Sequence, residues 1–223
     1  FRRVLFRSEE LFCNQTMKAF FLFFLLLVTP VLGNGNRDHE WVDLAGLNAG
    51  FVFDLRYATK NNFTGEVLYP VAKAFLRRKP AEALVAVQKE LQAQGLGLKI
   101  FDAYRPLPVQ QKMWDLIQDE RYVSNPAKNA GRHTRGASVD VTLVDAQGRE
   151  LPMPTGFDDF TEKAHSEYDG ATPEQKRNRD KLRAVMEKHG FTVYPTEWWH
   201  FDYKEWQQYP PSKEPIEALT HSR

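Results

Sequence analysis

The segment Glu197-Trp198-Trp199-His200-Phe201 confines this chain more than any other stretch. Three large aromatic rings within five residues demand burial. Glu197 and His200 are ionisable, however, and burying such groups is costly unless they are paired or hold a metal. Any acceptable fold must therefore bring counter-groups to this segment. A satisfied core histidine beside a salt-bridged glutamate would meet that demand, and so would a metal centre. In a regular strand, positions three apart face opposite sides. Glu197 must then lie at a strand end or bulge if both groups serve one site.

Upstream, His133 and Asp140 flank Gly136. A histidine and an aspartate at this separation can reach one ion if the chain turns at Gly136; taken alone, the pair also fits a surface histidine and an unrelated strand aspartate. With His200 they make two histidines and a carboxylate, the ligand number of an open catalytic zinc site whose fourth position is left to water. A glutamate three residues before the second histidine is placed to take a proton from that water. Arg105, in Asp102-Ala103-Tyr104-Arg105-Pro106, follows a predicted strand at a turn. It reads either as a surface ion pair or as a fixed cation for a developing oxyanion. Asp158 lies in the loop 155–160, where a carboxylate can cap a helix or contact a substrate. The remaining histidines, His39, His165, His189 and His221, show no metal-like spacing among themselves. Asn62-Phe63-Thr64 matches a glycosylation sequon, a triplet common by chance.

The front of the chain reads differently. Met17-Lys18, the apolar run 19–28 and the stretch 29–33 have the anatomy of a secretory signal peptide. The run is shorter than the about 20 residues of a membrane span. We expect a signal over 17–33, no stable membrane insertion after its cleavage, and a periplasmic or secreted mature chain. Residues 1–16 precede Met17, and the string Arg3-Val4-Leu5-Phe6-Arg7-Ser8 back-translates into adapter-like DNA; we expect an upstream artefact there, without fold or function.

Of 30 basic and 29 acidic residues, four and two respectively fall within 1–33, leaving 26 and 27 and a net charge of −1. That balance lacks the basic excess of a nucleic-acid binder. The only cysteine, Cys13, falls there too, so residues 34–223 offer neither disulfide nor thiolate ligand. Their length suits a single domain.

Within that domain, residues 51–57 alternate as a half-buried strand. Pro80 opens a helix over 81–94 whose Leu84, Val87 and Leu91 share a face, with Gly95 as its stop. Residues 97–103 read as a strand, 108–119 as a helix, and 138–144 as a strand carrying Asp140. Thr172-Pro173-Glu174-Gln175 resembles a capping box, opening a helix that runs to His189 and ends at Gly190. His189 sits where a cation favours the helix end. Residues 191–194 and 198–203 read as final strands. Without regular βαβ alternation, the fold class is α+β: a single compact domain with a central, mostly antiparallel sheet flanked by helices.

The pieces in order, with Phe53-Asp54-Leu55-Arg56-Tyr57-Ala58-Thr59, Asn62-Phe63-Thr64-Gly65 and Gly156-Phe157-Asp158 among them, resemble the D-alanyl-D-alanine dipeptidases of the VanX type, within the wider zinc D,D-peptidase family. The resemblance implies a Hedgehog/DD-peptidase-like fold and one zinc ion per chain held by His133, Asp140 and His200. It implies Glu197 as catalytic base and acid, Arg105 as transition-state stabiliser, and Asp158 as the group that binds the free ammonium of the dipeptide. The implied reaction is hydrolysis of free D-Ala-D-Ala in wall-peptide turnover or D-alanine recycling. A zinc D,D-carboxypeptidase trimming longer wall peptides, or a non-catalytic zinc-binding module, would share the fold. Two positions depart from the family pattern. Gly131 stands where a serine is expected and Ser138 where alanine is usual, which leaves the reader of the substrate carboxylate unassigned; Arg132 is the neighbouring cation.

Overall fold

A computed structural model describes residues 37–220. The expected artefact and signal segments, and His221, lie outside the described residues. The elements run β1 (Trp41–Asp43), β2 (Val52–Phe53), β3 (Phe75–Arg77), α1 (Arg78–Gln92), β4 (Leu96–Asp102), α2 (Leu107–Ile117), β5 (Ser138–Asp145), α3 (Pro173–Lys188), β6 (Phe191–Tyr194), β7 (Glu197–Tyr203) and α4 (Ile216–Leu219). Five strands form one sheet in the order β2-β4-β5-β7-β6, while β1 and β3 pair separately. Only β2 and β4 run parallel within the larger sheet; its other pairs are antiparallel. The α+β expectation holds.

Both long helices pack on this sheet, α1 against β4 and α3 against β5, β6 and β7. The predicted apolar face of α1 is the buried one: Leu84, Val87 and Leu91 join Leu98 and Ile100 of β4, and Leu182 and Met186 of α3, in one core. Large-to-small changes in such a core cost about 2–5 kcal/mol. The capping box at Thr172 forms as the sequence suggests, its side chain accepting from the Gln175 amide. Among the described residues, no helix is long and apolar enough to cross a membrane.

Three expectations need correction. Only Val52–Phe53 of the predicted 51–57 strand is extended; Arg56–Ala58 is a 3-10 turn. The chain leaves the sheet after the Asp54 amide bonds to the Ile100 carbonyl, and the Tyr57 carbonyl then accepts from the amides of Leu68 and Tyr69. The Asn62 side chain belongs to the same turn, donating to the carbonyls of Thr59 and Glu66. Helix α1 starts three residues earlier than expected, at Arg78. Pro80 fits within its first turn because the leading amides of a helix have no intrahelical partner. Helix α2 ends at Ile117 rather than 119, where Gln118 turns left-handed with φ 49°.

Strand β5 positions the site. Val139, Val141 and Leu143 enter the apolar core. Ser138, Asp140 and Thr142 are polar and just as buried, so the strand is covered on both faces rather than half-exposed. In the sheet register Asp140 lies opposite Asp102 of β4 on one side and His200 of β7 on the other, and Ser138 lies opposite Asp202. Cross-strand neighbours bring their side chains within contact range, so residues about sixty apart in sequence meet.

Candidate metal centre and substrate cleft

His133 occupies a 3-10 turn, His133–Arg135, that closes on Gly136. Gly136 has φ 68°, and a Cβ there would meet the Trp41 ring at 2.2 Å. The left-handed conformation that glycine permits reverses the chain between the two ligand candidates, as their spacing required. The His133 Nδ1 lies 2.7 Å from the Ala103 carbonyl. A carbonyl only accepts, so Nδ1 carries the hydrogen and Nε2 presents its lone pair inward.

His200 is oriented the opposite way. Its Nε2 lies 3.0 Å from the Asp202 carboxylate and its Nδ1 3.0 Å from Oδ1 of Asp140. The His133 Nε2 closes the triangle, 3.0 Å from the His200 Nδ1 and 3.3 Å from the Asp140 oxygen. Zn–N bonds of about 2.0–2.1 Å imply tetrahedral edges of about 3.3–3.4 Å. Three buried donors, two nitrogens and one oxygen, already converge to nearly that spacing and fit a zinc ion. Burial alone would raise the Asp140 carboxyl, but the neighbouring His133 and His200 carry it well below the usual range.

Glu197 is the first residue of β7, beside a register shift at Val193/Tyr194. That strand end lets it join His200 on one side, its Oε2 3.8 Å from Nδ1. Burial raises its carboxyl above the ordinary value, and the Asp140 charge adds to this while His200 opposes it.

Arg105 is no surface ion pair. Its Nη2 donates to Asp102 at 2.8 Å and its Nη1 to Gln110 at 2.9 Å, and its guanidinium lies 5.1 Å from the Tyr57 ring centre. Tyr69 donates to the other Asp102 oxygen at 2.6 Å. The cation is therefore held on fixed supports. Gly131 packs here too: a Cβ at that position would approach the Gln110 Oε1 at 3.2 Å.

Asp158 caps no helix. It takes φ 60° in a tight turn, and the Tyr57 hydroxyl donates to its two oxygens at 3.0 and 3.2 Å. The preceding Phe157 stacks on Phe101 and meets Trp199 edge-on, which anchors the turn. Burial, with the Asp140 charge next, raises the Asp158 carboxyl well above its usual value, while the Tyr57 hydrogen bond pulls it down.

All six residues singled out in the sequence line one cavity of about 160 Å³. That is smaller than the roughly 300–1,000 Å³ of pockets for drug-sized ligands. Arg132 lines it as well, but is paired with Asp202 and lies between the rings of Tyr194 and Trp206. Outside the cavity, His39 meets Tyr209 edge-on, and His189 at the end of α3 pairs with Glu90 of α1. Tyr57, Asp102, Gln110, Ser138 and Asp202 take no individual role from the sequence alone. For Asp202 a signal existed: two residues beyond His200 on a strand, it must share the histidine's face.

The peptidase M15 family model, described as D-ala-D-ala dipeptidase, matches residues 37–214. The chain belongs to the D-Ala-D-Ala dipeptidase family. Over 171 residues it is 36% identical to the D-alanyl-D-alanine dipeptidase of Escherichia coli (strain K12), covering 77% of this chain and 88% of that one. The D-alanyl-D-alanine dipeptidase of Enterococcus faecium is 30% identical over 183 residues, with 73% and 90% covered. A solved structure of the vancomycin-resistance D,D-dipeptidase VanXYg, with a D-Ala-D-Ala phosphinate analog, aligns at TM-score 0.39 and 18% identity, covering 68% of this chain and 60% of that one. As a member of the D-Ala-D-Ala dipeptidase family, the protein is a hydrolase and a metallopeptidase.

Proposed function

We propose that this protein hydrolyses free D-Ala-D-Ala to two D-alanines, with one zinc ion held by His133 Nε2, Asp140 Oδ1 and His200 Nδ1. A zinc ion in such a site supplies a water of lowered pKa and polarises the scissile carbonyl. The remaining chemistry belongs to the side chains. Glu197, raised by burial, is a better proton acceptor than an exposed glutamate; it takes the proton of the attacking water and returns it to the leaving amine nitrogen. Arg105, fixed by Asp102 and Gln110, faces the oxygen on which negative charge develops, so little reorganisation is needed as the charge appears. Asp158 receives the substrate ammonium and sets the register of the peptide bond against Glu197.

The single observation that carries this reading is the Asp158–Tyr57 pair lining the same small cavity as the ligand triad. A carboxylate beside a short cleft favours a free amine over an acylated one. The test compares zinc-loaded protein on D-Ala-D-Ala and on N-acetyl-D-Ala-D-Ala. Strong preference for the free dipeptide is the expected result; equal or better cleavage of the acylated peptide would establish a D,D-carboxypeptidase instead.

We also propose export, which the 17–33 segment supports, and hence a role in recovering wall-derived D-alanine outside the cytoplasm. Destroying the dipeptide before it enters the wall would require a cytoplasmic enzyme. Amino-terminal sequencing of the protein from the extracytoplasmic fraction tests this: a start just after Gly33 is expected, and retention of Met17 in a cytoplasmic fraction would overturn it.

A further inference from the structure

Behind the His200 ring lies a second layer of polar groups that the proposed reaction does not use. Asp202 is 4% exposed, and both of its oxygens are engaged. Oδ1 accepts from the His200 Nε2 at 3.0 Å and from the Ser138 hydroxyl at 2.6 Å; Oδ2 pairs with Arg132. Ser138 is fully buried and lies directly opposite Asp202 in the β5–β7 register, two pairs along from Asp140 and His200 and so on the same face. Arg132 is the residue before His133, and its guanidinium sits between Tyr194 at 4.6 Å and Trp206 at 4.9 Å.

These contacts have a geometric consequence. A neutral imidazole carries its hydrogen on one nitrogen only, and the partner of the other nitrogen decides which. Asp140 and Asp202 are acceptors at the two ring nitrogens, each 3.0 Å away; with Asp140 engaged as a ligand, the Asp202 carboxylate keeps the hydrogen on Nε2 and leaves the Nδ1 lone pair for the ion. Ser138 in turn fixes the rotation of that carboxylate. Arg132 ties the turn bearing one histidine to the strand bearing the other. We propose that Ser138, Asp202 and Arg132 form a brace that sets the tautomer and orientation of His200, and through it the metal affinity of the site. These are positioning residues: none is a metal ligand, and they act through His200. The inference rests on the ligand assignment of the proposed function and extends it to residues behind the ligands. It also gives Ser138 a task that alanine at that position could not perform.

The test measures zinc affinity of the full chain by competition with a chromophoric chelator, and the visible spectrum of the cobalt-substituted protein. Wild type, Ser138→Ala, Asp202→Asn and Asp202→Leu are compared. Loss of an outer partner of a metal-bound histidine costs about 10–100-fold in affinity, and that loss is expected for both Asp202 variants. A smaller loss is expected for Ser138→Ala, and cobalt band shifts for all three. Melting of the metal-free proteins separates packing from positioning: a merely structural role would lower the melting temperature without moving zinc affinity or the cobalt bands, and that outcome overturns the brace. Wild-type affinity and spectrum in all three variants overturn it as well, and leave the ligand assignment standing. If wild type takes up no zinc, the ligand assignment and the brace fall together. Weakened zinc binding in the variants, beside a wild type that binds zinc but leaves D-Ala-D-Ala intact, upholds the brace and overturns only the substrate.

Discussion

Asp140 and His200 sit directly opposite one another on β5 and β7, with carboxylate oxygen and ring nitrogen 3.0 Å apart. Sixty residues of chain separate them, and a single antiparallel pairing joins them. Two of the three proposed ligands are thus set by the sheet register, while the third, His133, comes from the turn before β5. Because a one-residue slip would turn every side chain to the other face, the register that buries Val139 and Phe201 in the core is also the one that brings Asp140 to His200.

Glu197→Gln removes the proton acceptor while keeping size and strand position. Zinc content by atomic emission should match wild type, and kcat should fall by about 10²–10⁴. Near-normal turnover in a zinc-replete variant would remove Glu197 from the role of base.

Arg105→Lys keeps the charge but loses the planar fork that reaches Asp102 and Gln110 together. The expected result is a fall in kcat of about 10²–10³, the loss typical of one oxyanion donor, with zinc content unchanged. A change confined to KM would show that Arg105 contacts the substrate equally before and during reaction, and would argue against transition-state stabilisation.

The convergence of His133, Asp140 and His200 was legible in the sequence because its elements announce themselves: an aromatic strand that must be buried, a strand carrying Asp140, and a glycine turn between His133 and Asp140. The α1 face and the α3 capping box were legible for the same reason, since their signals are local in the chain. Tyr57 was hidden, because its alternating neighbours read as a strand and only the tertiary bonds of Leu68 and Tyr69 to its carbonyl pull it into a turn. Gln110 was hidden as one polar residue on an amphipathic helix; its bond to Arg105 depends on how α2 docks. Long-range pairing decides such contacts, and local pattern carries no trace of it.

Asp158 must be ionised to hold an ammonium, yet burial first, and Asp140 next, raise its carboxyl well above the usual value. As pH falls through that raised value the group protonates and substrate affinity is lost. The acid limb of kcat/KM should therefore lie above the about 4 of an ordinary aspartate. The Tyr57 hydrogen bond pulls the group down, so Tyr57→Phe should move the limb to still higher pH and raise KM for the free dipeptide. An unmoved limb in Tyr57→Phe would contradict the pairing.

Zinc uptake should itself depend on pH. Burial disfavours a charged His200, but hydrogen bonds to Asp140 and Asp202 outweigh it and hold the metal-free imidazole protonated well above its usual value. Coordination needs the neutral ring, so binding releases a proton. Affinity should rise about tenfold per pH unit until that raised value is passed. Chelator competition between about pH 5 and 8, the range in which histidines titrate, checks it; a flat profile would mean that no ligand proton is displaced.

Gly136→Ala tests whether the turn between the ligands is obligatory. The left-handed backbone alone costs a non-glycine residue about 1–2 kcal/mol, and the new Cβ would also press on the Trp41 ring at 2.2 Å. Gly65 has a similar φ of 70° with nothing within 4 Å, so Gly65→Ala carries the backbone cost without the clash. In a domain of this size each kcal/mol lowers Tm by about 2–4 °C. Gly65→Ala should therefore melt a few degrees low with full zinc content. Gly136→Ala should melt lower still and bind zinc less tightly, because the clash presses the turn that aims His133 against a Trp41 ring packed between Tyr104 and Arg77. Equal melting and equal zinc affinity in the two variants would show that the turn tolerates a side chain, and that the His133–Asp140 geometry does not depend on it.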